Sequence, residues 1–187
     1  MTGAVRAVGD GAGGEDLVTL DTPRLILRQW QPADLDRYVE LFADPEVARY
    51  IFRGQPARRE QLTEMSTDYL RQWRDLRLGP FAAIDKATGA WIGQIGLNHL
   101  ACWPGPDKTE VGWELHRRWW GRGLATEGGR AALRFGFEER GLLRIISTAA
   151  RDNHASRHVM EKLGLTYRGA NVIGGAEIVW YAIDSTG

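Results

Sequence analysis

The residues best suited to chemistry cluster in one segment. It reads Glu110-Val111-Gly112-Trp113-Glu114-Leu115-His116-Arg117-Arg118-Trp119-Trp120-Gly121-Arg122-Gly123-Leu124-Ala125-Thr126-Glu127. A strand-like run enters a short loop with two glycines, and the loop opens a long helical run. The first turn of a helix leaves backbone amides unpaired, and the helix dipole adds positive potential there. Glycines let the backbone approach a ligand and take positive φ. Such a strand–loop–helix suits a phosphate or pyrophosphate. Arg117, Arg118 and Arg122 bring cations to the same place. A tight turn with solvated arginines gives the same pattern, so the loop alone leaves both readings open. No Gly-Lys-Ser/Thr follows, which excludes a Walker loop. Thr126 stands where a dinucleotide fingerprint needs a third glycine or alanine. Glu110 and Glu114 share one face of their strand, because strand side chains alternate. Glu177 lies on the last hairpin.

These groups need elements to position them. The alternation around Arg24–Arg28 predicts a strand. Pro32 near a first turn, then Leu35, Tyr38, Val39 and Phe42 on one face, predict a helix. A short second helix follows Asp44-Pro45, and a longer one runs from Gln61 to Leu78. Strands are predicted at Phe81–Asp85, Ala90–Asn98, Thr109–Leu115 and Leu143–Ala149, and helices at Gly123–Arg140 and Asn153–Leu163. Strands at Thr166–Ile173 and Ala176–Ile183 flank Gly174-Gly175, a two-residue hairpin signal. The run from Thr109 through Ala149 reads as a strand–helix–strand crossover, hence one parallel pair in a mostly antiparallel sheet. Residues 1–16 hold five of the 23 glycines and no aromatic residue, and read as a flexible tail before a single domain at 17–187.

Composition bounds the function. The 187 residues carry 24 Lys+Arg and 24 Asp+Glu, so a basic nucleic-acid surface is not expected. The one cysteine, Cys102, excludes an internal disulfide and a cysteine zinc cage. No metal set is expected. No run approaches the ~20 apolar residues of a membrane helix. No apolar core marks a signal peptide, so a cytoplasmic protein is expected.

A second segment, Asn153-His154-Ala155-Ser156-Arg157-His158-Val159-Met160-Glu161-Lys162-Leu163-Gly164-Leu165, follows the strand beside the glycine loop. Together the two segments resemble the GNAT superfamily of N-acetyltransferases. Arg118-Trp-Trp-Gly121-Arg-Gly123 matches its Arg/Gln-x-x-Gly-x-Gly/Ala signature, and the second segment resembles its Asn-x-x-Ser/Ala … Glu-Lys-Leu-Gly-Phe helix. Thr22-Pro23-Arg24-Leu25-Ile26-Leu27-Arg28, and the pair Glu177 and Tyr181, resemble the RimJ/RimL-like branch, which modifies protein N-terminal amines. The likeness covers about residues 20 to 183.

The resemblance implies a mixed α/β sheet whose central parallel pair splays to admit acetyl-CoA, with helices on its flanks. It implies a pantetheine arm along Trp113, Leu115 and His116, and a pyrophosphate on backbone amides from Arg118 to Ala125, through Gly121, Arg122, Gly123 and Leu124, with Arg117 among the cofactor-binding residues. Asn153 would also meet the pantetheine, besides capping its own helix. Many relatives place a tyrosine on the last helix to protonate the thiolate; Met160 stands there, so Ser156, one turn earlier, is the expected proton donor. The amine must lose a proton before it attacks, and a carboxylate is the usual base. The candidates are Glu110, then Glu177, then Glu114, with His99 and His116 behind them. Cys102 is not expected to carry an acyl group. Trp30, Trp73 and Trp103 are expected beside an acceptor pocket. The expected activity is acetyl transfer to a primary amine, on a protein N-terminus or a small molecule, by a monomer or homodimer. The competing reading is a non-catalytic acyl-CoA-binding or regulatory module.

Overall fold

The computed structural model describes residues 5–8, 17–52 and 55–185. Among the described residues, nine strands form one sheet: β1 (Val5–Val8), β2 (Leu17–Asp21), β3 (Leu25–Gln29), β4 (Pro80–Asp85), β5 (Trp91–His99), β6 (Thr109–Leu115), β7 (Arg144–Ala150), β8 (Thr166–Ile173) and β9 (Ala176–Asp184). Their spatial order is β1-β2-β3-β4-β5-β6-β7-β9-β8. Every neighbouring pair is antiparallel except β6 with β7. The described residues also form five α-helices: α1 (Leu35–Phe42), α2 (Pro45–Ile51), α3 (Arg59–Leu76), α4 (Leu124–Arg134) and α5 (His154–Lys162). Helix α4 makes the crossover between β6 and β7, as the sequence predicts. The Gly174-Gly175 turn has φ of 53° and 78°, the two positive values that a tight hairpin between twisted strands needs.

Alternation along β5 places helices on both faces of the sheet. Gln94 points to one side, where its amide reaches the Tyr69 hydroxyl of α3 at 3.3 Å. Ile95 points to the other and meets α4 at Gly128. A Cβ on Gly128 would lie 2.5 Å from Ile95 Cδ1 and 3.2 Å from Ile95 Cγ2. One on Gly129 would lie 2.8 Å from Leu163 Cδ1, just past the end of α5. The glycine pair that weakens α4 as a helix therefore lets it sit close on the sheet and on α5. Gly128→Ala gains about 1 kcal/mol of helix propensity but overpacks the contact by about 1–3 kcal/mol. Against a branched, buried Ile95, the second effect wins, so thermal unfolding should move a few degrees lower.

Two segments differ from expectation. Most of the expected tail lies outside the described residues, but Val5–Val8 pair with β2, Val5 opposite Leu20. The close-set glycines start only at Gly9, after this strand. The helix predicted to Arg140 is α-helical only to Arg134; Phe135–Glu139 form a π turn, closed by Arg140 N–H to the Phe135 carbonyl at 3.1 Å. Gly136 lies in that turn, where a Cβ would come within 2.7 Å of Ile145 Cδ1, so the wider turn seats this glycine against β7.

Candidate active site

The parallel pair parts almost at once. β6 and β7 are in register only at Glu110 opposite Ile146. Just beyond, the Ser147 hydroxyl donates to the Val111 carbonyl at 2.8 Å, so a side chain satisfies the group where the ladder ends. On its other edge, the His116 amide donates to the Ile92 carbonyl of β5 at 2.9 Å. Backbone groups alternate in direction along an antiparallel strand. Val111, Trp113 and Leu115 thus turn their amides and carbonyls toward β7. Val111 is held by Ser147, and the Leu115 carbonyl accepts from Trp120 Nε1 at 2.7 Å. The Trp113 amide and carbonyl and the Leu115 amide are left facing the fork. That edge can take an extended amide chain as an added strand. His116 is the exception among the predicted residues: its amide belongs to β5, and its ring packs 5.8 Å from Trp91.

β6 runs on through a 3-10 turn, Arg117–Trp119, to the glycine loop. Gly121 and Gly123 have φ of 70° and 75°, and Gly123 caps α4 with no side-chain bond to its first turn. A Cβ on Gly121 would meet nothing within 4 Å. The loop therefore offers the unpaired first amides of α4, at Leu124 and Ala125, beside exposed Arg117 and Arg118. The Arg122 guanidinium lies 4.9 Å from the centre of the Trp119 ring.

Sequence reasoning did not identify what fixes this loop. Glu127, in the first turn of α4, accepts from the Thr22 hydroxyl and the Arg24 amide, both at 2.7 Å. Arg24 Nε reaches its other oxygen at 2.6 Å, and Arg24 Nη1 donates to the Arg122 carbonyl at 2.8 Å. The turn between β2 and β3 is thereby tied to the glycine loop from a distance of about a hundred residues of chain. Burial pushes the Glu127 carboxyl up, but the bonds from Thr22 and Arg24 outweigh it and hold it below the usual range. A lowered carboxyl stabilises the fold above its unfolded pKa of about 4.3 and loses that contribution as pH falls. Glu127→Gln should lower the melting temperature by a few degrees at neutral pH, with the gap to wild type closing in acid.

Helix α5 starts at the far end of β7. Asn153 caps it, accepting from the Ser156 amide at 3.1 Å. The Ser156 hydroxyl is half-buried and has no partner among the described residues. Met160, one turn on, is sealed in the core.

The three predicted carboxylates separate. Glu110 is half-buried at the fork, where it accepts from the Thr148 amide at 2.8 Å and the Thr148 hydroxyl at 2.6 Å. Burial raises its carboxyl to about 7, against the Thr148 bonds that lower it. Glu114 stands on the same face and accepts from the Gln94 amide; burial raises it to about 7 as well. Neither is within ion-pair distance of a Lys, Arg or His among the described residues. Glu177 is exposed and paired with Arg151 at 2.7 Å. It adjoins Ile178, which faces Ala150, four residues along β7 from the partner of Glu110. The structure thus puts Glu110 and Glu114 together and Glu177 apart from them.

The three tryptophans expected at an acceptor pocket are core residues instead. Trp30 packs on Tyr38, Tyr69 and Trp91 and donates to Ser66. Trp73 packs on Phe81 and donates to the Pro80 carbonyl. Trp103 packs on Trp180. All three are buried, since each large ring stabilises most by leaving water. Cys102 is exposed. Among the described residues, no group of three or more His, Cys, Asp or Glu is placed to hold a metal, and no helix is long and apolar enough to cross a membrane.

Known proteins share this arrangement. A family profile described as an acetyltransferase (GNAT) domain matches residues 24–166. FsC-acetyl coenzyme A-N(2)-transacetylase of Aspergillus fumigatus is 31% identical over 162 residues, covering 80% of this chain and 65% of that protein. The uncharacterized N-acetyltransferase YoaA of Bacillus subtilis is 30% identical over 150 residues, covering 80% of this chain and 84% of the relative. The crystal structure of an acetyltransferase from Agrobacterium tumefaciens superposes with a TM-score of 0.80 at 28% identity, covering 95% of this chain and 100% of that one. RimL, a ribosomal L7/L12 alpha-N-protein acetyltransferase, shares the fold, with a TM-score of 0.73 at 16% identity over 94% of this chain and 99% of its own. A chain that parts its parallel strands beside a glycine-opened helix, and that matches the family domain over most of its length, belongs to the GNAT family of acetyltransferases.

Proposed function

We propose that the protein transfers the acetyl group of acetyl-CoA to a primary amine, of a protein N-terminus or a small molecule, by direct attack in a ternary complex. One observation carries this reading: a half-buried carboxylate, Glu110, stands at the fork with no cationic partner among the described residues. The edge of Trp113 and Leu115 would hold the pantetheine, and the loop from Arg118 to Ala125 the pyrophosphate. Asn153 and Ser156 lie at the other rim. The fit rests on an unpaired strand edge, an uncapped helix start and open space above Gly121.

Glu110 takes a proton from the ammonium, either directly or through water. The freed amine forms its bond to the thioester carbonyl as the carbon–sulfur bond breaks. The sulfur leaves with the bonding electrons, the Ser156 hydroxyl supplies a proton or a hydrogen bond to it, and the proton shed by the new amide nitrogen replaces the one the sulfur takes up. Met160 cannot serve, being an apolar side chain within the core. That lack supports a non-catalytic acyl-CoA binder, but such a binder has no use for a desolvated carboxylate at the fork. A cytoplasmic setting and a monomeric or homodimeric state belong to the same reading.

Initial rates measured while both substrates vary should give intersecting double-reciprocal lines. Parallel lines would mean an acyl-enzyme and would overturn direct attack. Ser156→Ala should lower kcat about tenfold, at the weak end for acid catalysis, and leave the KM for acetyl-CoA unchanged.

A further inference from the structure

Arg24 joins two parts of the loop that opens α4. Its Nε donates to the Glu127 carboxylate at 2.6 Å, and its Nη1 donates to the Arg122 carbonyl at 2.8 Å. Glu127 in turn donates its backbone amide to the Gly123 carbonyl at 3.0 Å. Two successive carbonyls of the loop are therefore held through one ion pair. A peptide unit is planar and trans, so its N–H points away from its C=O. No cis peptide occurs among the described residues. Holding the Arg122 carbonyl toward Arg24 thus turns the Gly123 amide to the opposite side. Gly123 has φ of 75°, and no side chain caps the turn it opens. A glycine without such a restraint leaves its peptide free to rotate. Arg24 supplies that restraint from outside the loop.

The anchor is itself braced. The Arg24 amide donates to Glu127 at 2.7 Å, and its carbonyl accepts from the Lys86 amide at 2.9 Å. Lys86 Nζ reaches the Thr22 carbonyl at 2.5 Å and the Asp21 carboxylate at 2.9 Å. Lys86 lies in the turn between β4 and β5, which Asp85 tightens by accepting from the Thr88 amide and hydroxyl at 3.0 and 2.7 Å. Thr22 and Asp85 are both buried. The guanidinium therefore acts on the glycine loop from a fixed edge of the sheet.

Charge offers a second account of the pair, with the opposite sign in one variant. A carboxylate in the first turn of a helix suits the dipole but opposes an anion bound there. If Arg24 only cancels that charge, Glu127→Gln should help an anion to bind. If the pair orients the loop, the same change should hurt, because glutamine presents an NH2 group to one of the Arg24 donors.

We infer that Arg24, held by Glu127, is a positioning residue that aims the Gly123 amide at the coenzyme pyrophosphate through the Arg122 peptide. This rests on the acetyl-CoA reading above and adds to it a residue from outside the loop.

The test is calorimetry of the full chain with acetyl-CoA and with S-acetylpantetheine, which keeps the thioester arm and lacks the pyrophosphate. Arg24→Ala should raise the Kd of acetyl-CoA about tenfold, the effect of one charge-assisted contact, and leave that of acetylpantetheine within about twofold. The unchanged acetylpantetheine binding certifies the fold. Glu127→Gln should weaken acetyl-CoA in the same selective way. Arg24→Lys keeps a cation beside Glu127 but not two donors in a fixed fork, so it should also lose acetyl-CoA affinity while melting above Arg24→Ala. Arg144→Ala breaks an exposed ion pair with Asp184 between β7 and β9 and should leave both ligands unchanged. Unchanged acetyl-CoA affinity in Arg24→Ala would overturn the inference, as would equal losses for the two ligands. Tighter binding in Glu127→Gln, or full recovery in Arg24→Lys, would make the pair a matter of charge and overturn it too. Each of these outcomes leaves the transferase reading standing. A wild type that binds no acetyl-CoA would overturn both.

Discussion

Glu110→Gln is expected to cut kcat/KM near neutral pH by about a hundredfold or more, the range of a lost general base. Glutamine keeps the size and one acceptor oxygen for Thr148, so the fold should persist. The pH profile then identifies the role. A base works only when deprotonated, and burial raises the Glu110 carboxyl to about 7. The wild-type rate should therefore climb with pH through about 7 and flatten above it. The variant should lack that step, and its gap to wild type should narrow at high pH, where water deprotonates the amine. The stability consequence has the opposite sign to that of Glu127. A carboxyl raised above its unfolded pKa of about 4.3 binds a proton more tightly when folded, so stability falls as pH rises from there to about 7. Glu110→Gln should flatten part of that fall. Full activity at every pH would remove Glu110 from the mechanism, and Glu114→Gln would then be the next test.

Gly123→Asp is expected to abolish the stabilisation of the protein by acetyl-CoA. Ligand binding to the folded state alone adds about 2.7 kcal/mol at a hundred times Kd, several degrees in melting temperature for a chain of this size. Gly123 opens α4 at φ 75°, beside the first free amides. Aspartate there is strained, adds bulk at the loop and sets a negative charge against an anion. Strain alone would lower the melting temperature without touching the ligand shift. Gly141→Asp separates the two effects, since Gly141 has φ 64° and open space but lies beyond the far end of α4. It should lose a few degrees and keep the full ligand shift. If Gly123→Asp retains the shift, the pyrophosphate does not rest on this loop.

Much of this fold was legible because its punctuation is local. Thr109–Leu115 and Thr166–Ile173 fall where alternation and the flanking glycines put them. The crossover followed from one strand–helix–strand order, and the tight loop that opens α4 from two glycines. What escaped was set by contacts distant in sequence. The bond of Glu127 to Arg24 spans 103 residues, and Gln94 meets Glu114 across a strand pair. The sequence ranks Glu177 ahead of Glu114, since nothing local says that Arg151 will claim it. The tryptophans mislead for a similar reason. A large ring is as suited to a core as to a pocket, and only packing assigned Trp30 and Trp73 to the core. The glycine pair of α4 could be read as a weakness but not as a contact until Ile95 and Leu163 were in place.

We propose that the open fork of β6 and β7 serves chemistry and not storage of a ligand. Incubation of the full chain with acetyl-CoA labelled in its acetyl group, together with a mixture of small amines and peptides, tests it directly. Mass spectrometry of the products, read with free-thiol release, should show the label on an amine nitrogen and one thiol freed for each acetyl moved. An acetyl-CoA melting shift with no labelled amine and no amine-dependent thiol release would contradict the claim and make the protein an acyl-CoA binder.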